Sequence, residues 1–379
     1  MPPSPTILFA GGGSGGHIYP NLAVLERLQQ TGAEVVPHFL VSERAVDDAI
    51  LRKEGLGGSA LPAKPLSMRP DRLWAFYTAY KRSEKIVYDI IQKTGAQAML
   101  ATGGFVSGPA VAAAARAGIA VALVSLDAVP GKSNRWSARS ATDLFTAYET
   151  EMLSKAQIIS VPLRQSVIAA ASPQDARRAL GLDPDLQTLL IFGGSQGGGT
   201  INEAFAELVT RAAAKDLFRG WQVMHLTGER DREAIKANYD QAGVPGRIEA
   251  FCNQMGLAWA AASLAVCRSG AGSVAESWAN AVPCVFMPYP YHKDEHQRAN
   301  AAPVVNRGAG LLLKDRIEAQ ANVEELMGPL RSLMHSELRL NQMRDILRAS
   351  AAPDGAGVLA DWLIGVTGLA VRPEALMER

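Results

Sequence analysis

Short apolar runs recur along the chain, and most are followed by a stretch whose apolar positions have helical spacing. In the first half the runs are residues 7–10, 35–41, 99–101 and 121–125, with helix candidates between them. After Ser160, Val161 and Pro162 the pattern restarts. Residues 188–192 read as a strand, 193–199 as a glycine-rich loop and 201–209 as a helix, with further strands over 222–226, 248–251, 264–266 and 283–287. Alternation of this kind predicts parallel strands covered by helices on both faces. The expected fold is α/β, with two Rossmann-like domains spanning 1–162 and 163–352 and their parallel sheets facing an inter-domain cleft. A last helix candidate, 355–367 within 353–379, is expected to pack back on the first domain.

The opening stretch, TILFAGGGSGGHIYPNLAVLERL, predicts strand, tight loop, then helix over 21–28. Its glycines let the backbone approach a ligand closely, and the first amides of a helix have no internal partner, so the start at Ser14, Gly15 and Gly16 suits a phosphate. His17 stands at the mouth of that loop. Gly11, Gly13 and Gly16 also satisfy G-x-G-x-x-G, which makes a dinucleotide-dependent oxidoreductase the alternative, with Glu43 as the acid after the second strand.

Composition narrows the class. A chain of 379 residues with 48% apolar and 20% charged positions is long enough for two folded domains. Its net charge of +1 provides no global field to recruit nucleic acid. Cys252, Cys267 and Cys284 are odd in number and fit no metal-ligand spacing, which favours a reducing compartment. Residues 1–5 show no signal-peptide pattern, and no apolar run approaches the ~20 residues that span a bilayer. A cytoplasmic location is expected.

Three further segments carry candidate chemistry. CRSGAGSVAE, residues 267–276, reads as strand end, small-residue loop and helix start: its amides suit a diphosphate, Glu276 suits ribose hydroxyls, and Arg268 is either a ligand or an internal anchor. In HKDEHQRAN, residues 292–300, His292 and His296 have helical metal-ligand spacing but no evident third ligand. No metal site is expected there, and His296, Gln297 and Asn300 suit sugar hydroxyls better. Gly131-Lys132-Ser133 resembles the end of a P-loop, but Leu126 occupies the first glycine position. Residues 64–85 mix Leu73, Trp74, Phe76, Tyr77 and Tyr80 with six cations, including Lys81 and Arg82, against two acids. This reads as a helix lying on an anionic membrane surface, or as ordinary core.

GGGSGGHIYPNLAV, TGGFVSGP, AVPGKSNRW, GGSQGG, CRSGAGSVAE and the 297–301 stretch occur in one order. Together they resemble the lipid II-forming, MurG-type N-acetylglucosaminyltransferases of bacterial peptidoglycan synthesis. The resemblance extends from about residue 6 to 310 and implies the two-domain GT-B glycosyltransferase fold. It also implies UDP-N-acetylglucosamine as donor, a lipid-diphosphate-linked muramoyl-pentapeptide as acceptor, and inverting transfer with no cofactor and no obligatory metal. Location would then be peripheral, on the inner face of the plasma membrane, with Leu73, Trp74, Phe76, Tyr77, Lys81 and Arg82 as the docking surface. By motif, His17 would be the general base, and Ser14, Gly15 and Gly16 would face the diphosphates. Arg164, Ser195 and Gln196 would hold donor phosphate, and the Cys252 backbone would meet uracil. Arg268, Ala271, Gly272, Ser273, Val274, Ala275 and Glu276 would line the diphosphate and ribose, and His296 and Gln297 the sugar.

Two departures stand out. Where the family has His-Glu-Gln-Asn, this chain has Val124-Ser125-Leu126-Asp127, so Asp127 either replaces the lost carboxylate or leaves His17 without one from that motif. Ser160-Val161 replaces the usual Gly-Asn. These changes leave open a related transferase with another lipid or aglycone acceptor, and a catalytically silent sugar-nucleotide binder.

Overall fold

The computed structural model describes residues 4–66, 69–194, 198–291, 294–350 and 353–370. They form two compact units, Met1–Arg164 with Ala352–Arg379, and Gln165–Ala351.

The first unit is built on a parallel sheet of β1 (Thr6–Ala10), β2 (Val36–Ser42), β3 (Gly58–Leu61), β4 (Ala98–Ala101), β5 (Ala120–Ser125), β6 (Asp143–Thr146) and β7 (Gln157–Ile158). Its order is β3-β2-β1-β4-β5-β6-β7, the doubly wound arrangement. The second unit repeats it with β8 (Gln187–Phe192), β9 (Trp221–Leu226), β10 (Gly246–Glu249), β11 (Leu264–Cys267), β12 (Cys284–Phe286) and β13 (Gly310–Leu312), in the order β10-β9-β8-β11-β12-β13.

Apolar runs become strands here because both sheet faces are covered. In β8, Leu189 and Ile191 enter one core with Phe205, Leu208 and Leu330, while Leu190 and Phe192 enter another with Trp259 and Cys284. Each such side chain contributes about 1.5–3 kcal/mol on burial. In the first unit Leu8 and Ala10 share a core with Leu40, Val111 and Leu123, and Phe9 stacks on Phe39 from the opposite face. The helix Gly355–Thr367 belongs to this unit: Asp354 pairs with Arg27 at 2.6 Å, the Gly355 amide donates to Ser160 Oγ at 2.8 Å, and Trp362 Nε1 donates to Asp143 at 2.8 Å.

Several boundaries differ from the sequence reading. The first helix is Gly15–Gln30, so it begins inside the glycine run instead of at residue 21. The strand expected at 248–251 is Gly246–Glu249. Four short strands, β3, β6, β7 and β13, were not expected; with two to four residues each they carry too little apolar pattern to register.

The sheet order places a topological switch point between β1 and β4 in one unit and between β8 and β11 in the other. Ligands of open α/β sheets bind outside the carboxyl ends of strands at such points. Ala10 pairs with Leu40 and Ala101, and Phe192 pairs with Leu226 and Cys267. The residues after these strand ends are the candidate site. Among the described residues no helix is long and apolar enough to cross a membrane.

Candidate active site

In the first unit the backbone turns from β1 into the helix Gly15–Gln30 through Gly11–Gly13. A Cβ on Gly11 would lie 2.4 Å from both the His17 carbonyl oxygen and Thr102 Oγ1, so only glycine fits. Thr102, just past β4, hydrogen-bonds His17 twice: its hydroxyl donates to the His17 carbonyl at 2.6 Å, and its own carbonyl lies 3.1 Å from His17 Nδ1. A carbonyl can only accept, so Nδ1 carries the proton and the neutral ring keeps its lone pair on Nε2. His17 itself is half-buried. Gly104, at φ +79, passes so close to the ring that a Cβ there would sit 3.2 Å from His17 Cδ2. The helix has no side-chain cap and no acid in its first turn, so the amides at Ser14, Gly15 and Gly16 begin an uncapped positive end.

Two residues not singled out from the sequence fix this loop from behind. Asp47 is fully buried, and its Oδ2 accepts from the Gly13 amide at 2.7 Å, the Ser42 amide at 3.0 Å and the Ser42 hydroxyl at 2.6 Å. Arg44 donates to the Gly13 carbonyl and lies over the Phe105 ring. Glu43, the acid that a dinucleotide site requires, is exposed to solvent.

Asp127 follows β5 and is half-buried; burial, with a smaller contribution from Asp127, pushes the Tyr148 phenol well above its ordinary range. The three residues before it, Val124, Ser125 and Leu126, are core. Arg164 is engaged within this unit, paired with Glu54 at 2.7 Å and Glu26 at 3.6 Å.

In the second unit Arg268, at the end of β11, is 4% exposed. Its Nη1 donates to Asp315 at 2.7 Å and to the carbonyls of Met287 and Pro288, and its Nη2 donates to Thr200 at 2.6 Å. Burial alone would raise the Asp315 pKa, but hydrogen bonds from Thr200, Asn322, the Ile317 amide and Arg268 hold it below the usual carboxylate range. This network ties together the segments that follow β8, β11, β12 and β13. Of the two roles open to Arg268, the geometry is that of the anchor.

The helix Ala271–Ala279 then starts at Gly270 with no side-chain cap and no first-turn acid, again a positive end. Ala271, Gly272, Ser273 and Ala275 are half-buried, whereas the Val274 side chain is core and leaves only backbone for a ligand. Trp259 Nε1 donates to Glu276 Oε2 at 2.8 Å. Burial pushes the Glu276 carboxyl up to about 7, partly opposed by that indole bond.

Gln297 accepts from the Tyr289 amide at 2.8 Å, and His296 Nδ1 lies 2.6 Å from Asp294. Asn300 is buried and donates to the Ser269 carbonyl at 3.2 Å. After β10, Cys252 is half-buried and its neighbour Phe251 is 67% exposed, offering a ring face beside the position expected to meet uracil. Ser195, Gln196 and His292 lie outside the described residues. Among the described residues no cluster of His, Cys, Asp or Glu could hold a metal ion.

The segment read as membrane-binding or core lies on the helix Pro70–Thr94. Trp74 is 71% exposed, with Leu73 and Tyr77 exposed beside it, and Lys81 and Arg82 are exposed one turn on. Phe76 is half-buried and packs toward Tyr80. Most of this stretch is therefore surface, not core.

Two doubly wound units, each presenting an uncapped helix start at its switch point, make up the two-domain architecture of nucleotide-sugar glycosyltransferases. The N-terminal domain profile of glycosyltransferase family 28 matches residues 7–146, and the C-terminal domain profile matches residues 188–359. The chain belongs to glycosyltransferase family 28. A curated relative from Geobacter metallireducens is 32% identical over 368 residues, covering 94% of this chain and 97% of the relative. One from Nocardioides is 32% identical over 341 residues, covering 89% and 91%. Both are named UDP-N-acetylglucosamine--N-acetylmuramyl-(pentapeptide) pyrophosphoryl-undecaprenol N-acetylglucosamine transferase. Among solved structures, Acinetobacter baumannii MurG matches with a TM-score of 0.73 at 23% identity, covering 96% of this chain and all of that one. The glycosyltransferase of kitacinnamycin matches at 0.63 and 16% identity, over 96% and 100% of the two chains. Family membership removes the dinucleotide-dependent oxidoreductase alternative.

Proposed function

We propose that the chain transfers N-acetylglucosamine from UDP-N-acetylglucosamine to an undecaprenyl-diphosphate-linked N-acetylmuramoyl-pentapeptide, converting lipid I to lipid II with inversion at the anomeric carbon. The observation that carries the reading is the His17–Thr102 lock, in which Nδ1 faces a carbonyl and Nε2 is the ring nitrogen left for a substrate at the mouth of a phosphate-compatible loop. His17 Nε2 takes the proton of the acceptor hydroxyl as its oxygen bonds to the anomeric carbon, and the bond to the UDP oxygen breaks with its electron pair on the diphosphate. Uncapped helix starts at Gly15 and Ala271 supply the positive ends that stabilise such anions. Glu276 receives the ribose hydroxyls, and the backbone after Phe251 reads uracil. Ser14, Gly16, Gly272, Ser273 and Gln297 complete the binding groups.

The exposed Leu73, Trp74 and Tyr77, with Lys81 and Arg82 close by, serve as the membrane contact that a lipid-linked acceptor requires. A second reading, transfer to another lipid or aglycone, is favoured by one feature. Val124, Ser125 and Leu126 are core, so the motif altered at 124–127 offers an acceptor only Asp127.

The deciding experiment is transfer of labelled N-acetylglucosamine to a short-chain analogue of the muramoyl-peptide lipid, with a no-acceptor control. Acceptor-dependent transfer is expected. Donor binding without transfer would reject this acceptor in favour of another or of a silent binder.

A further inference from the structure

Glu43 takes no part in the chemistry above, yet it lines a cavity of about 390 Å³ in the first unit. That volume falls within the ~300–1,000 Å³ of ordinary ligand pockets. Arg44, Asp48 and Arg52 share its wall, and the buried Val41 and Leu51 supply its apolar part. All four charged side chains are exposed. Asp48 and Arg52 pair at 2.9 Å along the helix Ala45–Lys53, but a pair so open to water contributes little to stability and can exchange partners. Two acids and two cations beside apolar side chains suit a short chain that carries charges of both signs.

Position says which chain. The cavity is bounded by the end of β2 and by β3, the first strand in the sheet order, so it lies on one flank of β1. β4 and β5 lie on the other flank, and there the helix Pro70–Thr94 is tied in. Its Tyr80 hydroxyl donates to the Gly108 carbonyl at 3.2 Å, in the helix after β4, and the Tyr80 ring lies 5.3 Å from that of Trp136, after β5. His17 stands between the two flanks. From the cavity wall Arg44 reaches the loop in front of it, donating to the Gly13 carbonyl and lying over Phe105, whose neighbour Gly104 passes the His17 ring.

An N-acetylmuramoyl acceptor has a matching layout. Its reacting hydroxyl is on C4, the lactyl ether that carries the peptide is on the adjacent C3, and the lipid diphosphate is across the ring on C1. With the 4-hydroxyl at His17 Nε2, the peptide begins beside the base. A lipid directed toward the helix that displays Trp74 then sends the peptide to the opposite flank, where this cavity opens.

We propose that the cavity is the subsite for the acceptor's peptide, with Arg52 receiving a carboxylate of the peptide and Glu43 an amide or ammonium donor. The proposal rests on the transfer reaction proposed above and names the part of the first unit that reads the peptide.

Transfer of labelled N-acetylglucosamine to two short-chain acceptors tests it, one carrying the whole pentapeptide and one ending at the lactyl amide. The wild type is expected to show a kcat/KM at least tenfold higher with the pentapeptide, mainly through KM, and equal values would overturn the proposal. Glu43→Gln with Arg52→Gln should lower kcat/KM at least tenfold for the pentapeptide acceptor, since one lost charge-assisted bond is worth roughly that much. The lactyl-amide acceptor should stay within twofold. Equal losses on the two acceptors would overturn the subsite, because the pair would then act on the fold and not on the peptide. Asp175→Asn with Arg178→Gln, an exposed ion pair of the second unit, should leave the preference between acceptors intact, and a matching loss of preference would also overturn it. Free pentapeptide is expected to compete with the pentapeptide acceptor in the wild type and at least tenfold more weakly in the Glu43 and Arg52 double variant. Donor binding with transfer to neither acceptor would reject the transfer reaction, and this subsite with it, a result distinct from transfer that ignores the peptide.

Discussion

The carboxylate of Asp47, fully buried, accepts the amide proton of Gly13 at 2.7 Å, so a negative charge sits directly behind a loop shaped for anions. The contact turns the Gly13 amide inward and leaves the ligand to the helix start beyond it. Asp47→Ala would strand the Gly13 and Ser42 amides, at about 1–3 kcal/mol for each buried donor. A lower thermal midpoint with a larger fall in turnover is expected, and Asp47→Asn, which still accepts, should recover most of the stability. Differential scanning fluorimetry beside a transfer assay reads both.

His17→Ala should lower kcat by about 10²–10⁴-fold, the usual contribution of a positioned base. Donor affinity should change little, because the His17 side chain is assigned to the acceptor hydroxyl and the donor is held by other groups. Thr102→Val keeps the carbonyl that holds Nδ1 and removes the hydroxyl bond to the His17 backbone, so a smaller fall is expected. Retention of full turnover by His17→Ala would remove the base assignment.

Glu276 gives a pH signature of known sign. Its folded pKa of about 7 lies above the ordinary 4.5, so between those values the folded chain keeps a proton that the unfolded chain has released. Stability therefore falls as pH rises from 4.5 to 7 and levels beyond, by about 3 kcal/mol in all. Ribose hydroxyls bind best to the ionised form, so calorimetry should show UDP-N-acetylglucosamine affinity rising with pH through 7. Glu276→Gln should flatten that rise.

His225 acts in the opposite direction. It is buried between the Tyr239 hydroxyl and Asn202 Oδ1, and burial lowers its pKa to about 3 from 6.5. The unfolded chain gains a proton below 6.5 that the folded ring refuses, so the second unit loses stability progressively as pH falls from 6.5 toward 3. Denaturant midpoints measured by circular dichroism between pH 7 and 4.5 should fall for the wild type and vary less for His225→Gln. The slope, not the absolute stability, is the readout.

Trp74 and Tyr77 should govern binding to neutral and anionic vesicles alike, since their contribution is apolar. Trp74→Ser with Tyr77→Ser is expected to reduce partitioning onto phosphatidylcholine vesicles severalfold while leaving the thermal midpoint in place. Unchanged partitioning would remove the docking role of this helix.

The two sheets were legible because their central strands are buried on both faces and end on glycine or small polar residues. β1 and β8 are apolar almost throughout, and each runs into a glycine loop. The short strands toward the sheet edges were not legible: Gly58–Leu61 and Gly310–Leu312 carry one or two large apolar residues each and pair through backbone. Candidate site residues were legible where they lie within one motif, as His17 and Glu276 do. Their partners Thr102 and Trp259, like Asp47 behind Gly13, come from other segments and meet them only through the sheet order. The same effect explains Arg268, whose anchoring role depends on Asp315, 47 residues farther along the chain.

The contacts of the helix Gly355–Thr367 with the first unit also set an order of events during synthesis. Residues 165–350 are contiguous and can fold as soon as they leave the ribosome. The first unit cannot, because Arg27, Asp143 and Ser160 find Asp354, Trp362 and Gly355 only after the second unit has been translated. The half that begins the chain is therefore the last to be completed, and a nascent chain that has emerged only as far as residue 353 would carry a finished second unit and an unclosed first.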